Sequence, residues 1–390
     1  MGDGALSEEM PAYNQRIERF REHEYPMLNN STYLDHAGTT LYSKTQMDRF
    51  HSDMMSNLYG NPHSASPSSQ QSTVQIENIR LDLLRFFKAD PAEFDIVFTA
   101  NATAGMKLVM EALREQDGGF WYGYHVDSHT SLVGLREAAK KHRCFGSDEE
   151  MESWIGEARE ADWGGTSLVA FPAQSNMNGR RLPLDWCRRI RMATAGCNTY
   201  TLLDAAAYAT TSPLDLSVTE AAPDFMVLSL YKIFGFPDLG ALVDRKSVAP
   251  LFQKRRYFGG GTVDMVVCLK EEWHAKKAGA LHSQLEDGTL PVHNIIALRS
   301  AMQTHKELFD SLEIVSRHTA CLAKQLFDGL ASLKHGNGKS VCTIYKHVDS
   351  TYGVTATQGP TVAFNLRDSD DKWVSTAEIE KLATLSLIHI

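Results

Sequence analysis

No run of apolar residues in this chain approaches the roughly 20 needed to cross a bilayer. The first residues carry Asp3, Glu8 and Glu9 where a secretory signal would have a basic stretch followed by an apolar one. Basic charge is not in excess: 39 Lys and Arg stand against 48 Asp and Glu, a formal net charge of −9, which argues against a general nucleic-acid binder. Six cysteines, at 144, 187, 197, 268, 321 and 342, form no C-x-x-C pair, so neither a zinc site nor a disulfide framework is expected. Reduced thiols and a cytoplasmic location follow as the expectation. Internal repeats and low-complexity tracts are absent too. What remains is an ordinary globular composition, 43% hydrophobic and 22% charged, in 390 residues, enough for two domains and a substantial core.

Along the chain, residues 1–30 are charged and weakly helical and read as an arm packed on the body. From Ser31 to about residue 290, short apolar runs alternate with helical periods. Asp95–Thr99, Phe120–Tyr124, Ser167–Phe171, Tyr200–Leu203, Phe225–Leu228 and Gly240–Val243 read as strands. Between them Ile76, Ile79, Leu83 and Phe86, then Met106, Val109, Met110 and Leu113, recur at the steps of one helical face. Leu132–Lys141 and Pro183–Ala193 complete the helices. This alternation predicts an α/β domain with a mostly parallel sheet covered on both faces. Residues 291–390 change texture. Helical pattern over 295–333, strand candidates Val341–Tyr345 and Thr361–Leu366, a helix Thr376–Leu385 and a strand beginning in Ser386–Ile390 predict a smaller α+β domain that stops short of completion.

Chemistry-bearing residues gather where strands end. Thr99-Ala100-Asn101-Ala102-Thr103-Ala104-Gly105 joins a strand to a helix, so free backbone N–H groups and a hydroxyl face one spot suited to phosphate, or simply cap the helix. His129 follows Phe120–Tyr124 and could stack on a planar ring or serve structure alone. Asn176 follows Ser167–Phe171 and offers an amide to an oxygen or to a turn. Asp204 ends an apolar run and suits a protonated ring nitrogen or a local cap. Lys232 lies in Ser229-Leu230-Tyr231-Lys232-Ile233-Phe234-Gly235, directly after Phe225–Leu228, where an α/β sheet holds its ligand. A lysine there can form a Schiff base with a carbonyl cofactor. Each signal is weak by itself. Their order of phosphate loop, His, Asn, Asp and Ser-x-x-Lys matches the needs of pyridoxal 5′-phosphate.

On these residues the chain resembles the class V, cysteine-desulfurase-like branch of pyridoxal-phosphate-dependent transferases of fold type I. Within that branch it is most similar to the N-terminal sulfurase part of eukaryotic molybdenum cofactor sulfurases. The likeness runs through Tyr33-Leu34-Asp35-His36-Ala37-Gly38, Tyr59-Gly60-Asn61-Pro62-His63-Ser64, Leu203-Asp204-Ala205-Ala206-Ala207-Tyr208, Tyr231-Lys232-Ile233-Phe234-Gly235, Tyr257-Phe258-Gly259-Gly260-Gly261-Thr262 and Glu286-Asp287-Gly288-Thr289. It implies that Lys232 carries the cofactor and shuttles protons, Asp204 pairs with the ring nitrogen and His129 stacks on the ring. Asn176 would bond the phenolic oxygen or the substrate. Ala102, Thr103 and Ser229 would hold the phosphate, and Thr262 would reach the phosphate of a neighbouring subunit, which implies a homodimer.

The same likeness implies L-cysteine as sulfur donor, alanine as product and the molybdenum cofactor as acceptor. Three departures qualify it. Ala207 stands where many desulfurases have Gln, and Tyr231 where they have His. The family's nucleophilic cysteine and a substrate-carboxylate arginine fall beyond the stretch matching Leu382–Ser386, so impaired sulfur transfer is expected of this chain. Two other functions fit the residues: a lyase or aminotransferase of the same fold that needs no cysteine nucleophile, and a non-catalytic form that only binds cofactor or partner.

Overall fold

The computed structural model of the protein describes residues 6–157 and 165–390. Its strands, in chain order, are β1 (Thr32–Tyr33), β2 (Phe94–Thr99), β3 (Phe120–His125), β4 (Lys141–Phe145), β5 (Thr166–Pro172), β6 (Thr199–Asp204), β7 (Phe225–Ser229), β8 (Gly240–Arg245), β9 (Val263–Val267), β10 (Trp273–Lys276), β11 (Cys342–Tyr345), β12 (Ala363–Leu366) and β13 (Ile388–His389). Seven of them form one sheet in the order β2-β8-β7-β6-β5-β3-β4. β8 runs antiparallel to β2 and β7, and every other neighbouring pair is parallel. The apolar runs read from the sequence are these strands, and they are apolar throughout because both faces are covered.

Side chains alternate between the two layers along each strand. Met226 and Leu228 join Ile96, Phe98, Val169, Phe171 and Leu203 under the helices Pro67–Phe86 and Val292–Phe309. Val227 points the other way, with Val97, Leu168, Leu202 and Leu242, beneath the helix Ala102–Arg114. That helix comes close because of a glycine: a Cβ on Gly105 would lie 3.0 Å from Cγ1 of Val227. At its entry, a Cβ on Gly240 would sit 2.4 Å from the backbone of Asn101, so only glycine lets β8 and the loop after β2 share this space.

Several elements differ from expectation. The helix read over Leu132–Lys141 is a single turn, Thr130–Val133, followed by a 3-10 segment, Gly134–Ala138. Lys141-His142-Arg143-Cys144-Phe145 is then the edge strand β4. Only its Phe145 is buried, so it shows no alternating apolar pattern. The helical stretch 295–333 breaks into Val292–Phe309 and Leu312–Ser332. Asp310 at φ 63° ends the first, and Ser311 caps the second by accepting from Ile314 N. The expected strand at the end of the chain is β13, which pairs in parallel with β1. The β9–β10 hairpin was not anticipated.

A buried ion pair links this scaffold to the loops above it. Arg80 donates to both carboxylate oxygens of Glu286 at 2.8 and 3.0 Å, and Phe98 N donates to the same carboxylate at 2.7 Å. Gly288 N donates to Gly260 O at 2.8 Å, so the pair fixes the 286–288 turn and, through it, the glycine loop. Removing one partner strands a buried charge. Arg80→Met and Glu286→Gln should each destabilise the fold by about 3–5 kcal/mol in urea unfolding, and the double variant by less than their sum.

Candidate active site

The carboxyl ends of β2, β3, β5, β6 and β7 open on one edge of the sheet, where an α/β fold places its ligand. Register brings them level: Thr99 and Ser229 both lie opposite Gly240, and Pro172 lies opposite Asp204. Lys232 sits in the short helix Leu230–Phe234 that follows β7. It is half-buried, and its carbonyl accepts from Thr40 Oγ1 at 2.7 Å. The helix stops at Gly235, with φ 76°, where a Cβ would fall 2.4 Å from the Leu41 carbonyl carbon. The segment around Thr40–Tyr42 therefore braces the lysine from below. Among the described residues no hydrogen bond or ion pair engages Lys232 Nζ.

Asp204 ends β6 at 6% exposure. Its Oδ1 accepts from Ala206 N at 3.0 Å, and its Oδ2 has no hydrogen-bond partner among the described residues. Burial pushes this carboxyl above its ordinary range, opposed by the Ala206 N–H and by the charges of His129 and Lys232. Those two side chains are thus within electrostatic reach of the carboxylate. His129 is exposed and caps the turn Thr130–Val133, its Nδ1 accepting from Ser131 N at 3.1 Å.

The phosphate-loop residues form a connected cluster. Ala102 N donates to Ser229 Oγ at 3.2 Å, joining the helix start to the end of β7. Asn101 Oδ1 caps the same helix through Ala104 N. Thr103 Oγ1 lies 2.8 Å from Ser131 Oγ, which is itself 3.0 Å from His129 Nδ1. Ser131 was missed in the sequence. Its signal was the hydroxyl-rich run Ser128-His129-Thr130-Ser131 at a helix start. Asn176 lies exposed on the turn after β5. Thr262 is 2% exposed, donates to Gly259 O at 2.8 Å, and shares no hydrogen bond with the other candidates.

A second missed group ties the His129 loop to the Asn176 turn. Arg180, 5% exposed, donates to Asp127 Oδ2 at 2.9 Å and also to Asp148, while the fully buried His125 reaches Asp148 Oδ1 at 3.1 Å through Nε2. Asn178 Oδ1 accepts from Arg180 N at 3.0 Å, so the network extends into the turn itself. No local pattern announces partners so distant in sequence.

The unpartnered groups define what the site can take. A free lysine amine suits a carbonyl carbon, and the free oxygen of a buried carboxylate suits a cationic ring nitrogen. The hydroxyls at the start of the helix Ala102–Arg114 suit a phosphate. Ser128 Oγ adds a buried hydroxyl beside His129 that has no partner among the described residues. This donor set fits pyridoxal phosphate.

The class-V aminotransferase family matches residues 32–355, and the chain belongs to it. Membership makes pyridoxal 5′-phosphate the cofactor of this site. The chain is 60% identical over 380 residues to a molybdenum cofactor sulfurase of Aspergillus clavatus, covering 97% of this chain and 45% of that protein. It spans about half the length of the curated relatives it matches. Among solved structures, the apo cysteine desulfurase of Thermococcus onnurineus NA1 aligns with TM-score 0.73 at 17% identity, covering 95% of this chain and 86% of that one. The cystine C-S lyase C-DES, in complex with its reaction product cysteine persulfide, aligns with TM-score 0.71 at 18% identity, covering 94% and 91%. These structures share the fold.

The Arg180 network carries a pH signature. His125 and Arg180 outweigh the effect of burial and hold the Asp148 carboxyl down at about 2. A carboxyl depressed on folding contributes stability above its unfolded pKa and loses it as pH falls through the folded value. Stability should therefore drop between about pH 4 and pH 2, by roughly 2 kcal/mol at most for this group. Asp148→Asn should flatten that part of the curve in pH-dependent chemical denaturation.

Proposed function

We propose that this chain is a pyridoxal-phosphate-dependent sulfurtransferase of molybdenum cofactor sulfurase type, taking sulfur from L-cysteine and leaving alanine. The observation that carries the reading is the pair Lys232 and Asp204: an unpartnered amine and a half-satisfied buried carboxylate within electrostatic reach, in a chain 60% identical to a protein of that name. Bound cofactor supplies an electron-withdrawing ring for bond cleavage at an amino-acid carbon. Lys232 holds the cofactor's carbonyl carbon and moves a proton at the substrate's α-carbon. Asp204 keeps the ring nitrogen protonated, the cation offsetting the burial that otherwise raises its carboxyl. Ser229 Oγ accepts from Ala102 N, which leaves its own hydrogen for a phosphate oxygen, and Thr103 supplies a second hydroxyl. His129 would stack on the ring, and Asn176 would bond the phenolic oxygen or the substrate.

In sulfur transfer the C–S bond of L-cysteine breaks, a thiol takes the sulfur as a persulfide and its proton is returned to the carbon that becomes alanine's methyl. The molybdenum cofactor is the final acceptor. Among the described residues no cysteine hydrogen-bonds to a candidate site residue, and burial pushes the Cys187 thiol up to about 12, far from a thiolate. A lyase of the same fold, which needs no cysteine nucleophile, is the second reading.

We read residues 31–290 as the cofactor domain, flanked by the arm 1–30 and a smaller unit, 291–390. We also propose a cytoplasmic homodimer. No helix among the described residues is long and apolar enough to cross a membrane. The β9–β10 hairpin exposes Met265 at 58%, Leu269 at 82% and Trp273 at 54%, an apolar surface that supports subunit contact. In that dimer Thr262, whose hydroxyl donates to Gly259 O at 2.8 Å, would reach the phosphate of the neighbouring subunit.

The protein loaded with pyridoxal phosphate should absorb at roughly 410–430 nm, and Lys232→Ala should abolish that band. Asp204→Asn should lower L-cysteine turnover about 100-fold or more. Sulfide release from L-cysteine under reductant should be low for this chain. The absence of any band in folded wild-type protein would remove both enzymatic readings.

A further inference from the structure

Arg80, Arg180, Arg181, Arg245 and Arg255 are buried among the described residues. Arg80 meets Glu286, Arg180 meets Asp127 and Asp148, Arg245 meets Asp224, and Arg255 meets Asp287 and Glu111. Arg181, at 8% exposure, meets no carboxylate among the described residues. Its Nε donates to Gln174 Oε1 at 3.1 Å, one terminal nitrogen to Thr355 O and the other to Thr211 Oγ1 at a long 3.5 Å. The Tyr208 ring lies 4.8 Å from its central carbon. These acceptors are all neutral, and burial pulls this guanidinium below its ordinary value, opposed by the Tyr208 phenol but by no carboxylate among the described residues. Three acceptors also leave two of its five N–H donors over.

The position is as telling as the missing charge. Gln174 follows β5, next to Ala173, whose N–H donates to Asp204 O at 2.8 Å. Tyr208 begins the turn Tyr208–Thr210, which packs on the helix carrying Lys232. Thr355 belongs to the C-terminal unit. That unit zips onto the Asn176 turn through Arg181 N to Thr357 O at 3.0 Å and Gly359 N to Gly179 O at 2.7 Å. Arg181 therefore stands on the seam between the strand-end loops and segment 355–361, and two of its neighbours, Gln174 and Tyr208, lie on segments that contact Asp204 and the helix of Lys232.

We propose that Arg181 anchors an oxyanion-binding site on this seam, for a carboxylate or phosphate group that arrives beside the cofactor. A buried cation without a counter-ion is costly, and a bound oxyanion relieves that cost with charge-assisted bonds to the spare donors. The site stands independently of the sulfur reaction.

The test uses protein loaded with pyridoxal phosphate, so that the cofactor's own phosphate site is filled. Thermal unfolding is followed against inorganic phosphate, L-alanine and L-alaninamide, with sodium chloride at matched ionic strength as reference. Wild type should gain roughly 2–4 °C near saturation with phosphate, or with L-alanine but not its amide, and the arm that responds identifies the anion's source. Arg181→Gln should lose the gain, and Arg181→Lys should keep it with at least threefold weaker apparent affinity. No gain over chloride in wild type, or an equal gain in Arg181→Gln, overturns the proposal. Should Arg181→Gln fail to fold, the lysine variant decides, and an unchanged affinity there overturns it.

Discussion

A carboxylate buried at the end of β6 is the constraint around which the site is organised. Asp204 has one backbone N–H for a partner and sits among apolar strands, where an ionised carboxylate is expensive. The fold tolerates it because the same sheet edge also carries a lysine and a histidine within electrostatic reach. That edge exists because β2, β3, β5, β6 and β7 all end on one side of the sheet, with β8 entering there through a glycine that lets the Asn101 loop lie on top of it. Parallel topology, the glycine and the charge are therefore one arrangement: remove the level edge and Asp204 has no cation to face.

Polar networks around this edge serve to hold loops rather than to strengthen the core. Arg180 with Asp127, Asp148 and His125 binds the His129 loop to the Asn176 turn. Arg80 with Glu286 binds the 286–288 turn to β2, and that turn carries the glycine loop. In both cases a planar guanidinium grips carboxylates from elements distant in sequence, the geometry for which arginine is suited and lysine is not. Buried pairs of this kind add little net stability and much positional definition.

The central sheet was legible because a strand covered on both faces is apolar at nearly every position, as Phe225–Ser229 shows. Lys232, Asp204 and the Ala102–Thr103 loop were legible for the same reason, since each follows such a run directly. β4 was hidden because an edge strand with one buried residue has no pattern to show. The strand near the end of the chain was legible, but its pairing with β1, far away in sequence, was not, and the β9–β10 hairpin exposes the apolar residues that a pattern search assigns to a core. Arg180 and Arg181 are neighbours of identical type. Only three-dimensional partners separate them: among the described residues, two carboxylates for one and none for the other.

The pairing of Thr32–Tyr33 with Ile388–His389 clasps residues near the two ends of the described chain a short way upstream of Thr40, whose hydroxyl holds the Lys232 carbonyl. Residues 388–389 are thus linked to the lysine along one path, and residues 357–359 to the Asn176 turn along another. A displacement of these C-terminal segments would pull on the lysine and on the Asn176 turn at once. Grip on the ligand and posture of the lysine then become a single mechanical coordinate.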